Sequence, residues 1–459
     1  MLTQTAYGDS RLSFWLRVRE YAVPPSMIET ATARRSVGDW AGACAAAGVD
    51  VDLNLRSVAR SYGHDLTARI RADLRHLAPD LLRWHMPRVA PEGLLRPDLT
   101  LSLARYEVTE RARAHAVHLV ARTAPAWADA GQRISLALWD GSGDRGDPRP
   151  RARPERRFRL DLHRHLWDAR RTGELRVRSG ADQPPQDPGL RELLPPGHSC
   201  AVDRWAAEAE LLLRAEGRAA GAVTVRFGGR RRLVVDLHAP GDGAGGAPAL
   251  RIGVAPADGS ASALPVLPDA AVRVLPDLEL LRAGALGADR LHPLVAAALV
   301  PGHPPVPPSR IPDPAGQPRL VECRGARHRI GLVDGVLAPL DHDPAEIRRE
   351  ELLAALTGTP LPCLQAIDAA HRHPDCLTGV RERLDHGDTA GALAVVEGLL
   401  GPGALLRAGA LRDALEAAAR RRITYGLFRA GLAGPGPGRI EGGARRPRRY
   451  RPHPRQALR

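Results

Sequence analysis

The chain has 459 residues and 66 basic side chains, every one an arginine, against 52 acidic ones, for a formal charge of +14. Without lysine it has no Walker-type phosphate lysine, no kinase strand lysine and no amine for an internal Schiff base. ATP-driven, phosphoryl-transfer and pyridoxal phosphate chemistry in their usual forms are therefore excluded. Its length and 44% hydrophobic content suit two to four folded domains of roughly 100–200 residues, and with 7 Trp, 6 Tyr and 4 Phe the cores must close with small aliphatic side chains.

Arg11, Arg17 and Arg19 interrupt the apolar residues of Met1 to Tyr21, so no signal peptide is expected. No stretch approaches the roughly 18 consecutive apolar residues of a membrane span, and the longest, Leu291 to Val300, holds His292 and Pro293. The expected location is the cytoplasm, without membrane contact. Cys44, Cys200, Cys323, Cys363 and Cys376 are scattered, and an odd number in a reducing compartment reads as buried thiols.

From Pro24 to about Ala121 the pattern is helical. Leu66, Ile70, Leu74 and Leu77 fall on one face of a helix after Asp65, and a short helix over Pro79 to Met86 follows. Between Asp140 and Pro196 composition shifts to Gly, Pro and Arg, which predicts linkers around a helical piece from Leu160 to Arg171. A helix over Asp203 to Glu216 comes next. Alternation of Val223, Val225 and Phe227 and then of Leu233, Val235 and Leu237, around Gly228-Gly229, predicts a hairpin, with a third strand over Leu250 to Val254. Helices around Asp277 to Leu286 and Pro293 to Leu299, a Pro-rich connector over Pro301 to Pro318, and strands at Leu320 to Arg324 and His328 to Val333 complete the centre. Asp343, Pro344 and Glu346 then form a helix start, and helices run to about Leu432.

The fold class these elements predict is α+β, mostly helical, with small antiparallel sheets in the central region. Its expected parts are a helical region over 1–139, a Pro/Gly/Arg-rich linker over 140–200, an α+β region over 201–342, a helical region over 343–432 and a disordered basic tail over 433–459. Exclusion of lysine alongside abundant Ala, Arg, Gly and Pro resembles the composition of actinomycete proteins from GC-rich genomes, and the chain resembles an actinomycete family that brings no function with it. Part of the positive charge is then a by-product of codon usage.

One pattern recurs. Gly38-Asp39-Trp40-Ala41-Gly42-Ala43 and Gly387-Asp388-Thr389-Ala390-Gly391-Ala392 share Gly-Asp-x-Ala-Gly-Ala, in which Gly ends one helix, Asp caps the next and the small residues permit close packing. The second copy, and the first running on into Val49-Asp50-Val51-Asp52, resemble ankyrin-like helical corners. That resemblance implies stacked helical pairs that bind other proteins. The copies lie more than 300 residues apart, not about 33, and lack Thr-Pro-Leu-His.

Catalytic and ligand motifs are sparse. Gly241 to Gly246 fits G-x-G-x-x-G, but Ala247-Pro248 and an alternating strand follow where a dinucleotide site needs a helix. Asp140 to Asp147 lacks the Gly and Glu of a calcium loop. Cys363, His371, His373 and Cys376 lack a paired knuckle, and His163 and His165 have no H-E-x-x-H face, so no metal site and no cofactor are expected. The expected function is a non-enzymatic protein-interaction role through Asp39, Trp40, Asp388 and Thr389, with an unidentified protein partner. The alternative is binding of nucleic-acid backbone by the tract Arg145 to Arg178 and by Arg445, Arg446, Arg448, Arg449 and Arg451 of the tail. A hydrolase with a dispersed triad is a further alternative.

Overall fold

The computed structural model describes residues 11–434 apart from 111–112, 129–131, 142–152, 183–193, 195–198, 228–230, 239–248, 257–259, 303–318, 324, 334–335, 340, 358–360, 366–378, 401–405 and 407. Outside this set lie the tail arginines, Gly241 to Gly246, most of Asp140 to Asp147, and His371, His373 and Cys376. The architecture is α+β. A helical turn over 11–17 runs into a π-helical turn, Val18–Ala22. Helices α1 (Pro25–Ser36), α2 (Trp40–Ala46), α3 (Leu55–Tyr62), α4 (His64–His76) and α5 (Pro79–His85) follow, with strand β1 (Val49–Val51) after α2. On α4, Leu66, Ile70 and Leu74 are buried, as is Leu77 just beyond it, which is what their spacing on one helical face requires.

The helical pattern expected as far as Ala121 does not extend that far. After a small hairpin of β2 (Arg88–Val89) and β3 (Leu94–Leu95), the chain forms β4 (Thr100–Glu110), β5 (Arg113–Thr123) and β6 (Ile134–Trp139). They build a sheet of order β1-β6-β5-β4, antiparallel except for β1 beside β6. A bulge between Ser102 and Ala104 shifts the register, so the apolar alternation of Leu101 and Leu103 restarts at Ala104 and Tyr106. Because Leu and Ala are weak strand formers and the period is broken, local propensity favours helix; pairing across the sheet overrides it.

The expected linker also behaves differently. Over 153–182 it is an irregular, ordered segment whose Phe158, Leu160, Leu166, Trp167 and Leu175 enter the first core, and a 3-10 turn, Arg164–Leu166, stands where a helix is expected. The same core takes residues from Val18 to Leu299, including Leu280 and Leu286 at and after α7 (Pro276–Arg282) and Val295 of α8 (Pro293–Leu299). A second core lies between α6 (Val202–Ala215) and the antiparallel sheet β7 (Gly221–Arg226), β8 (Arg232–His238) and β9 (Ala249–Val254). A third joins sheet β10 (Arg319–Cys323), β11 (Ala326–Val333) and β12 (Val336–Pro339) to helices α10 (Val380–Asp385), α11 (Thr389–Leu400) and α12 (Ala410–Arg429); α9 (Pro344–Thr357) precedes them. Asp343 accepts from the Ala345 N–H at 2.9 Å, the cap expected for α9.

Both Gly-Asp corners have the geometry their sequence implies. Gly38 and Gly387 have φ of +80° and +82°. Asp39 accepts from the Gly42 N–H at 2.8 Å and Asp388 from the Gly391 N–H at 2.9 Å. A Cβ on Gly42 or Gly391 would lie 2.1 Å from the capping carboxylate as it is placed, so any larger residue there would displace the capping side chain. In each corner an arginine five residues before the cap, Arg34 or Arg383, pairs with the same aspartate. The first corner leads into β1 of a parallel pair.

Arg83, 2% exposed, ties the second corner to the amino-terminal segment and to the entry of β6. Its Nε donates to the Ala22 carbonyl at 2.8 Å, Nη1 to that of Gln132 at 2.5 Å and Nη2 to that of His386 at 3.2 Å. Gln132 has φ of +51°, a strained value for a side-chain-bearing residue. Replacing Arg83 with Met strips donors from three segments, and at about 1–3 kcal/mol for each buried acceptor left unsatisfied the loss should reach about 3 kcal/mol or more in urea unfolding. Hydrogen exchange should rise in α10 in the same variant. Asp39→Ala and Asp388→Ala, which remove only a cap, should each cost about 1 kcal/mol.

Candidate functional site

Proline ends α5 at Pro87, and the chain turns through the β2–β3 hairpin, with Gly93 at φ +79° packed so closely that a Cβ would lie 2.6 Å from Val18 Cγ2. This places Arg88 beside the carboxyl end of α5. Arg88 donates through Nη2 to the Arg83 carbonyl at 2.6 Å and through Nη1 to the Gly93 carbonyl at 2.8 Å. Its buried Nε has no hydrogen-bond partner, and among the described residues no carboxylate pairs with it. Burial, with the nearby Arg83 charge, lowers its pKa well below the arginine value, so its cation is electrostatically under-compensated.

Arg88 lines a cavity of about 880 Å³ between the helical segment 11–17, the β2–β3 hairpin, the stretch 157–160 and the stretch 268–276. Seven arginines face it (Arg11, Arg17, Arg88, Arg96, Arg157, Arg159 and Arg273) and a single carboxylate, Asp269. The apolar part of the wall includes Phe14, Trp15, Met86, Phe158, Leu160 and Leu275. Four arginines are paired: Arg11 with Glu279 at 2.8 Å, Arg17 with Glu382 at 3.7 Å, Arg157 with Asp269 at 2.5 Å, and Arg159 with Asp161 at 2.8 Å and Glu216 at 2.9 Å. The side chains of Arg96 and Arg273 make no hydrogen bond among the described residues. Burial lowers the Arg273 pKa; the Asp269 charge works against this, and Arg11 and Arg157 work with it.

His85 also lines the cavity, and its buried Nε2 has no partner. Burial, only partly opposed by Asp277, pushes its pKa down to about 4, so it is neutral at pH 7. Behind it stands a buried ionic group. Asp277 accepts from Arg19 Nη2 at 3.1 Å and from the Trp84 indole N–H at 2.7 Å, while the Arg19 guanidinium lies 4.1 Å over the Trp84 ring. His292 Nε2 and Asp80 Oδ2 are 2.9 Å apart alongside.

Over 157–178 the arginine tract splits into cavity wall and internal pairing; Arg145, Arg149 and Arg151 lie outside the described residues. Besides Arg157 and Arg159, Arg164 and Arg170 share Asp73 and Asp168, Arg171 meets Glu174, Arg176 meets Asp182, and Arg178 grips Glu208 with Nε at 2.6 Å and Nη2 at 2.7 Å. Every arginine from 157 to 178 therefore has a carboxylate partner. His163 shares Glu208, at 3.1 Å from Nε2, and neighbouring His165 is buried with Nδ1 unpartnered. Burial works against ionising Glu208, but hydrogen bonds from His163 and Arg178 outweigh it and hold the carboxyl down at about 2.

Asp39 and Asp388 are occupied in capping, Trp40 is half-buried against the first core, and Thr389 is half-buried at the start of α11. None of the four lines the cavity. Its residues come from four separated stretches together with Leu101 and Leu166, so no spacing could connect them. The one local signal is Phe14-Trp15 flanked by Arg11 and Arg17 in a chain poor in aromatics. A separate group of soft ligands, Cys323, His342 and Cys363, lies far along the chain from the cavity residues.

Protonation sets an acid limit on this arrangement. His386, buried beside Arg88 and Arg83, is held down to about 4, like His85. Between the ordinary histidine value of 6.5 and about 4 the unfolded chain binds protons on both that the folded chain refuses, so stability falls as pH drops through this window. From about 4.5 down to about 2 Glu208 adds a loss of the same sign. Urea midpoints measured across pH should show both windows, and His386→Gln should flatten only the upper one.

No known protein family, no curated protein and no solved structure matches the chain.

Proposed function

We propose that the protein binds a phosphorylated small molecule with a flat or apolar body, of the nucleotide class, in the arginine-lined cavity. The observation that carries the reading is Arg88, a buried guanidinium on the cavity wall with a free Nε and no carboxylate. An anion seated there offsets the charge of Arg88 and Arg273 together. Arginine suits this task because its planar fork matches phosphate oxygens bidentately. Phe14, Trp15 and Phe158 provide the ring and apolar surface that a base or comparable moiety stacks on, and the volume is within the range of small-molecule sites.

The cavity is favoured over an extended nucleic-acid contact because the arginines from 157 to 178 already face carboxylates, and a phosphate backbone would have to displace those partners. It is favoured over recognition of a protein partner at the Gly-Asp corners because Asp39 and Asp388 spend their carboxylates on helix caps. Neutral His85 fits a binding role as well, since it accepts or donates one hydrogen bond without adding charge.

Calorimetric titration with nucleoside di- and triphosphates, the bare nucleosides and inorganic phosphate tests this. The phosphorylated nucleosides should bind and the bare nucleosides should not. Arg88→Met and Arg273→Met should each weaken binding about tenfold or more, the loss of one charge-assisted hydrogen bond of about 1.5–3 kcal/mol. Equal affinity in wild-type protein and Arg273→Met, or no heat with any phosphorylated compound, sinks the reading.

A further inference from the structure

The soft-ligand group in the carboxyl-terminal part is assembled by the fold alone. Cys323 ends β10 and is paired with Ala326 across the first hairpin of the sheet. His342 lies between β12 and α9, and Cys363 sits in the short helical turn 362–365. Sequence spacing around Cys363 points to no metal site, because its partners come from well upstream.

One ligand atom from each of the three residues falls within 4.8 Å of the others, and the Cys363 Sγ to His342 Nε2 distance is 3.7 Å. A tetrahedral zinc ion with Zn–S near 2.3 Å and Zn–N near 2.0–2.1 Å separates such atoms by about 3.6–3.8 Å. Little movement is therefore needed to close the three around an ion. The other ring nitrogen of His342, Nδ1, faces Glu346 Oε2 at 3.8 Å, one helical turn on. A carboxylate behind the far nitrogen is the arrangement that fixes the tautomer of a ligating histidine. His328 stacks on the His342 ring with centroids 4.1 Å apart, which restricts its rotation. Both cysteines are fully buried, yet the apolar cluster around them is small: Leu361 with the flanking Val321, Ile347 and Leu364. Such a cluster buries too little area to hold a hairpin, a helix start and a distant turn together, and small units of this kind depend on a staple.

We infer that Cys323, His342 and Cys363 bind a structural zinc ion that joins the β10–β12 sheet to α9 and the 362–365 turn. Two thiolates and one imidazole select a soft, tetrahedral divalent ion, and a further ligand completes the coordination. On binding, the two thiol protons leave to solvent and the thiolate pairs bond to the metal, so no redox partner is required.

Full-length untagged protein, purified without chelator, should carry one zinc per chain by elemental analysis. The reduced, metal-stripped chain titrated with cobalt(II) should develop a near-ultraviolet thiolate-to-metal band that zinc then abolishes. Cys323→Ser and Cys363→Ser should lose that band, while Cys44→Ser, which alters a buried cysteine elsewhere, should keep it. A clearly substoichiometric zinc content, no cobalt band in the wild-type chain, or a Cys323–Cys363 disulfide in the freshly purified protein overturns the inference.

Discussion

Arg83 brings a guanidinium into the centre of the first core and hands its donors to the carbonyls of Ala22, Gln132 and His386. Those carbonyls belong to the amino-terminal helical segment, the entry to β6 and the end of α10. Taking a cation out of water costs several kcal/mol before any compensation, and hydrogen bonds to fixed backbone dipoles return part of it. The three segments must therefore hold their positions together, and the strained backbone at Gln132 persists because Arg83 binds its carbonyl while its side chain receives the Leu95 N–H. The same contact ties α10 to the amino-terminal body, reinforced by Tyr425 and Arg429 of α12 on Asp50 and Asp52.

Arginine takes structural roles throughout the molecule, and this changes the meaning of the net charge. Asp73 and Asp168 each accept from Arg164 and Arg170, so one short stretch is cross-linked to α4 by a four-member ionic group. Asp50 likewise receives both arms of Arg133. Planar forks of this kind bridge segments that a point charge could not orient, and in a chain without lysine every such bridge falls to arginine. On the cavity wall, by contrast, Arg88 and Arg273 are buried without an ion-pair partner among the described residues, and one carboxylate is among the lining groups. Charge counted over the whole chain conceals that concentration.

Buried histidines complete the pattern. His85, His165 and His386 are all held below the ordinary histidine range, chiefly by burial and further by neighbouring cations. Each adds shape and a neutral hydrogen-bonding group to a core already crowded with guanidinium charge. The polar interior thus avoids further positive charge near neutral pH and becomes costly to maintain in acid.

Local chemistry alone determined much of the helical framework. Period 3.6 in α4, Pro and Asp at the start of α9, and Gly-Asp caps at both corners act within a few residues, so sequence was enough to locate them. Alternation around β7 and β8 likewise announced a hairpin. Tertiary structure decided the rest. The sheet β4–β6 needed partners, since a bulge hid its alternation behind Leu and Ala. The stretch 153–182 reads as solvated linker, but its arginines meet carboxylates supplied from 30 or more residues away, as Arg178 does with Glu208 and as Arg164 and Arg170 do with Asp73, or close by, as Arg171 does with Glu174. The cavity and the Cys-His-Cys group draw on separated segments brought together by burial, and a contact between such segments leaves no period or spacing in the sequence to read.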